Sequence, residues 1–213
     1  MVVDRAISQS GEVIAASALF TVGMARDIWG TSSAVIAPRF ALVSWVPLPL
    51  SHLKVNFDGS MLVDGTTGGV GFVIRDSWGR LVAAGGQCTL GLTVVEAELR
   101  AAWEGLSFAR KVLGAERVLL EGDSSVVIDR IRGVNKYGDG HPLIKDTRRL
   151  AQELGGFQAA YVFQEANQAA DWVASFVARH SGEFLWTFME DTPSSLYSLL
   201  FRDLAGCTHF RAI

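Results

Sequence analysis

The eight residues from Leu53 to Ser60, LKVNFDGS, constrain the fold more than any other stretch. Leu53, Val55 and Phe57 fall on one face, and Lys54, Asn56 and Asp58 on the other. That period of two specifies a strand with one apolar side. Gly59 lets the backbone turn or approach a neighbour closely. An Asp on the polar face, just before a Gly, either sets a carboxylate in a cleft or ends the strand in an Asp-Gly turn. The stretch by itself leaves both open.

The chain of 213 residues is long enough for one sizeable core, or one domain with appendages. With 49% apolar and 19% charged residues it is not a disordered tail. Cys88 and Cys207 lie far apart, form no metal-ligand pattern, and read as ordinary thiols of a reducing compartment. Val13 to Met24 is too short to span a membrane, and Ala34 to Leu50 is broken by Pro38, Arg39, Pro47 and Pro49. Asp4, Glu12 and Asp27 argue against a transit peptide, and Asp4 beside Arg5 against a secretory signal. The expected setting is intracellular, nucleus or cytoplasm, with no membrane. The net charge is −3, and residues 45 to 180 carry 14 basic against 15 acidic side chains. Two bound divalent cations would turn that balance positive, so a polyanionic substrate is compatible with weak, metal-dependent affinity.

Trp45-Val-Pro47-Leu-Pro49 is a proline-stiffened lead-in to the first strand. Val70 to Arg75 and Arg80 to Ala84 read as two further strands of an antiparallel meander. Gly69-Val-Gly71 has no helix after it, so it reads as glycines beside a close neighbour rather than a phosphate loop. Thr93 and Glu96 have capping-box spacing, and Val95, Leu99, Ala102, Leu106 and Ala109 form the buried stripe of the helix that follows. Glu96 is thereby explained; Glu98, on a flank of small residues, is not. Arg117 to Glu121 reads as a buried parallel strand, with Asp123 at its carboxyl end. A helix stopped by Gly133, another opened by Pro142, a strand from Phe157, and a last helix with Asn167 as N-cap complete the pattern.

Four acids remain that local structure does not fully explain: Asp58, Glu98, Asp123 and Asp171. Each has a plainer reading as a surface acid or a cap. Together, on separate elements, they suit hard divalent cations, which want several oxygen ligands, and the paired ions of in-line phosphoryl displacement.

Five words occur in order: Lys54-Val-Asn-Phe-Asp58-Gly-Ser60; Gly69-Val-Gly71-Phe-Val-Ile-Arg75-Asp76; Ala97-Glu98-Leu99 followed by Gly105-Leu106; Glu121-Gly-Asp123-Ser124; and Glu165-Ala-Asn167-Gln-Ala-Ala-Asp171. Over about Trp45 to Ala178 the chain resembles the ribonuclease H superfamily, type 1, in particular the plant ribonuclease H-like domain related to retroelement reverse transcriptases. The resemblance implies an α/β fold with a mixed five-stranded sheet, three strands antiparallel and two parallel, flanked by helices. It implies Asp58, Glu98, Asp123 and Asp171 as a catalytic, metal-binding set, with Asn56, Gly59, Ser60 and Asn167 at the substrate. It further implies two Mg²⁺ ions, with Mn²⁺ as a substitute, and hydrolysis of the RNA strand of RNA–DNA hybrids. The expected organisation is an N-terminal extension over 1–44, a ribonuclease H-like domain over 45–182 and a helical tail over 183–213. Many relatives have His six residues before the Asn of the last word; here Tyr161 stands there, and Gln164 replaces a common Arg. The alternative reading is a non-catalytic, retroelement-derived module that binds nucleic acid or protein.

Overall fold

The computed structural model describes residues 40–48, 50–134 and 140–212. The short element expected at Val13 to Phe20, the connecting chain around Trp29, Gly30 and Pro38, and loop residues 135–139 lie outside them. Trp45–Cys207 forms one compact unit. A second unit takes in Met1–Ser44 and Thr208–Ile213. Its described part is a two-stranded antiparallel ladder of β1 (Phe40–Val43) and β8 (His209–Ala212).

The larger unit is built on β2 (Leu53–Met61). It runs antiparallel to β3 (Thr67–Arg75), which runs antiparallel to β4 (Leu81–Leu90). On its other side β2 runs parallel to β5 (Arg117–Gly122), and β5 parallel to β6 (Gly156–Tyr161). β4 is longer than the strand expected at Arg80 to Ala84, because Gly85 and Gly86 continue it. A Cβ on Gly86 would stand 2.1 Å from the Val70 carbonyl oxygen, so glycine there admits the neighbouring strand.

The resemblance implies five strands; among the described residues the sheet has six, in the order β6-β5-β2-β3-β4-β7. The sixth is β7 (Glu183–Trp186), within the stretch expected to be a helical tail. It pairs antiparallel with β4, Gly86 opposite Phe184. Four residues are too few for alternation to announce a strand; the free edge of β4 and the packing of Phe184 and Trp186 on Phe176 decide it.

Helix α1 (Val94–Lys111) begins at a capping box: the Thr93 hydroxyl accepts from the Glu96 amide, and the Glu96 carboxylate accepts from the Thr93 amide at 2.8 Å. Leu99, Ala102, Leu106 and Ala109 bury against Val55, Phe57 and Phe72 of the sheet. α2 (Ser125–Arg132) ends at Gly133 in the left-handed region, as its position predicts. α3 (Pro142–Gln152) starts with Pro142 in its first turn.

α4 (Gln168–His180) packs on the opposite face of the sheet, with Ala170, Val173, Ala174 and Val177 buried. A Cβ on Gly69 would fall 2.1 Å from the Ala174 carbonyl oxygen, and one on Gly71 2.5 Å from the Ala174 nitrogen. The two glycines are therefore seats for the backbone of α4, the close neighbour expected for them. α5 (Ser194–Leu204) adds Leu196 and Leu200 to the same core. Among the described residues, no helix is long and apolar enough to cross a membrane.

Candidate active site

The register of β2 and β5 starts the site. Asn56 pairs with Glu121, so Asp58, within β2, and Asp123, just past the end of β5, lie side by side where the parallel ladder stops. Helix α1 brings Glu98 over the same point, because Gly59 lets its first turn touch the strand. Carboxylate oxygens of Asp58, Glu98 and Asp123 all lie within 4.8 Å of one another. Asp171, in the first turn of α4, stands outside that limit but within electrostatic reach of Asp58 and Glu98.

Asp58 and Glu98 are only 6% and 7% exposed. Burial pushes the Asp58 carboxyl up to about 9, reinforced by Glu98, Asp123 and Asp171 and by a hydrogen bond with Asp123. Burial likewise lifts Glu98 to about 8, with Asp123 adding to the rise and the Gly59 amide opposing it. Asp171 is raised by burial and then by Asp123, against Arg179. Glu98 Oε2 is buried and has no hydrogen-bond partner among the described residues. An orphaned carboxylate oxygen beside two further carboxylates is a donor set that fits a divalent cation.

A family model described as reverse transcriptase-like matches residues 56–177, more than half of the chain. The chain belongs to this family, within the type 1 ribonuclease H superfamily. Among solved structures it is similar to ribonuclease H1 from the archaeon Halobacterium salinarum, at 25% identity and a TM-score of 0.56, over 61% of this chain and 99% of that one. The N-terminal ribonuclease H domain of a Mycobacterium tuberculosis protein shares the fold at 24% identity and a TM-score of 0.55, over 61% and 95%. So does a compost-derived ribonuclease H1 solved with an RNA/DNA hybrid, at 18% identity and a TM-score of 0.53, over 60% and 97%. No curated protein matches the chain.

Asn56 and Asn167, which the resemblance sets at the substrate, are fully buried and spend their amides inside the protein. Asn167 is also no side-chain cap: its Nδ2 donates to the Phe57 carbonyl and to Asp123 Oδ1 instead. Gly59 lies against the backbone of α1: a Cβ there would fall 2.4 Å from the Glu98 nitrogen. The Ser60 hydroxyl, half-buried, lies 3.3 Å from that of Ser175. Tyr161 is 38% exposed and meets Phe163 edge-on.

Sequence reading missed the polar layer beneath the acids. Lys54 and Glu121 form an ion pair at 2.8 Å, both almost wholly out of water. Arg75, also fully buried, pairs with Asp203 of α5 at 2.6 Å. The indole of Trp45 lies against both cations, 4.7 Å from Lys54 Nζ and 4.1 Å from Arg75 Cζ. The signal was present in the alternation: three polar residues on the second face of a central strand need buried partners when that face is covered.

Proposed function

We propose that this protein is a divalent-metal-dependent nuclease that hydrolyses the RNA strand of RNA–DNA hybrids. The observation that carries the reading is the convergence of Asp58, Glu98 and Asp123, from β2, α1 and the end of β5, on one point with a buried Glu98 oxygen that has no partner among the described residues. Asp171 is the fourth member of the proposed set. These four carboxylates would hold two Mg²⁺ ions, or Mn²⁺ in their place. Bound there, the ions supply Lewis acidity toward a phosphodiester and lower the pKa of water.

The chain's own residues do the positioning. Gly59 lets the α1 backbone at Glu98 approach β2, Asn167 Nδ2 donates to Asp123, and burial strengthens the field of Asp58 and Glu98. In the hydrolysis a water oxygen bonds to phosphorus and the 3′ oxygen departs, leaving a 5′-phosphate and a 3′-hydroxyl. RNA is told from DNA by its 2′-hydroxyls, largely without sequence preference. The Ser60 hydroxyl is the nearest candidate on β2 for that contact, two residues beyond Asp58.

Exposed Tyr161, where many relatives carry His, supports a second reading, a module that binds nucleic acid or protein without cleaving. A labelled hybrid incubated with Mg²⁺ or with EDTA separates the two. Cleavage of the RNA strand with Mg²⁺, absent with EDTA and absent in Asp58→Asn, is the expected result. Binding without cleavage in Mg²⁺ and in Mn²⁺ would favour the module.

A further inference from the structure

The buried polar layer has a direction. Asn56 Oδ1 accepts from Arg75 Nη2 at 2.8 Å and from Trp45 Nε1 at 3.2 Å. Its Nδ2 donates to Glu121 Oε2 at 3.2 Å and to Asn167 Oδ1 at 3.3 Å. Asn167 Nδ2 then donates to Phe57 O at 2.9 Å and to Asp123 Oδ1 at 3.2 Å. Both hydrogens of each amide are used, and so are both lone pairs of Asn56 Oδ1.

An asparagine amide can ordinarily be turned over, exchanging donor and acceptor. Here it cannot. Guanidinium and indole nitrogens only donate, so the Asn56 oxygen must face Arg75 and Trp45. The Asn56 amide nitrogen must therefore face Asn167, whose oxygen must face back, and whose nitrogen is left aimed at Asp123. The Arg75 charge that starts the series is held by Asp203, on the last helix of the unit.

We infer that Arg75, Asn56 and Asn167 form a one-way amide relay that holds the Asp123 carboxylate in its metal-binding orientation, with Asp203 of α5 as its anchor. Asn167 is the positioning residue at its active end. A partner that orients a metal-ligating carboxylate typically contributes 10–100-fold in metal affinity or activity. The inference rests on the metal-site reading above and assigns the site a dependence on α5.

The test is Mn²⁺ binding to the full chain, followed by calorimetry and by the paramagnetic signal of the free ion, with no nucleic acid present. The native protein is expected to bind Mn²⁺, and Asp58→Asn to lose it. Asn167→Ala is expected to bind about tenfold more weakly. Leu196→Val, a core change in α5 outside the relay, controls for stability: it should keep native affinity even where its melting temperature falls as far. Should Asn167→Ala not fold, Arg75→Lys carries the same test. It keeps the buried charge, but a single ammonium lacks the fork that serves Asp203 and Asn56 together. At least threefold weaker binding is expected there. Native binding that is lost in Asp58→Asn but unchanged in the folded relay variant would overturn the relay alone. Absence of Mn²⁺ binding in the native protein would overturn the metal site and the relay with it.

Discussion

A Cβ on Gly59 would stand 2.4 Å from the backbone nitrogen of Glu98. The strand that carries Asp58 and the helix that carries Glu98 are thus in backbone contact. Gly59→Ala must push α1 away from β2. Overpacking of this kind costs about 2–3 kcal/mol, and the displaced Glu98 should take hybrid cleavage with it. Gly65, where a Cβ meets nothing among the described residues but φ is +68°, is the control: Gly65→Ala should cost about 1 kcal/mol through backbone strain and leave activity intact. Urea melts and cleavage rates on both variants check this. Undiminished cleavage by Gly59→Ala would mean that the contact does not matter to the site.

Asp58→Asn trades activity for stability. The amide removes one carboxylate from a buried cluster in which burial, Glu98, Asp123 and Asp171 all oppose its charge. The metal-free variant should therefore melt higher than the native protein at about pH 8. A gain of about 1 kcal/mol corresponds to roughly 2–4 °C in a domain of this size. Cleavage should be abolished. A scanning calorimeter and a gel assay are sufficient, and a lower melting temperature would contradict the proposed repulsion.

Two glutamates one turn-side apart should behave differently. Glu96 bonds the Thr93 amide and hydroxyl at the start of α1, so Glu96→Ala should cost at most about 1 kcal/mol and little activity. Glu98→Gln keeps the shape but removes a charge from the cluster, and should lower the cleavage rate by orders of magnitude. Equal rate losses in the two variants would show that the helix phase is not what separates them.

The pH dependence has a definite sign. Asp58 and Glu98, at about 9 and about 8 in the fold, sit well above ordinary carboxyls near 4. Between those limits the folded protein holds protons that the unfolded chain has released. Stability from these groups is thus fully present below about pH 4 and lost as pH rises toward 9. Without metal, the melting temperature should fall between about pH 5.5 and 9. Millimolar Mg²⁺ should flatten the fall, because the cation replaces the protons and binds better as they leave. The measurement is a set of melts with EDTA and with Mg²⁺. A metal-free melting temperature that rises with pH through this window would refute the site's electrostatics.

Local patterns carried much of this protein. The alternation of Leu53 to Ser60, the Thr93–Glu96 box, the stops at Gly133 and Pro142, and the spacing of Asn56-x-Asp58 against Glu121-x-Asp123 depend on neighbours a few residues apart. Strand periods and cap geometry act at that range, so residue type and spacing determine them. Partners across the fold were another matter. Arg75 meets Asp203 at a separation of 128 residues, Asn56 meets Asn167 at 111, and Lys54 meets Glu121 at 67. Asn167 has the composition of a helix cap and the position of a relay, and β7 is a strand because the edge of β4 was open to it. Burial of both faces of β2 decided these roles. Once α4 and α5 cover the second face, each polar group there must find a donor or acceptor among whatever the topology brings within 3 Å or so. That matching is a property of the packed chain, and no period along the sequence encodes it.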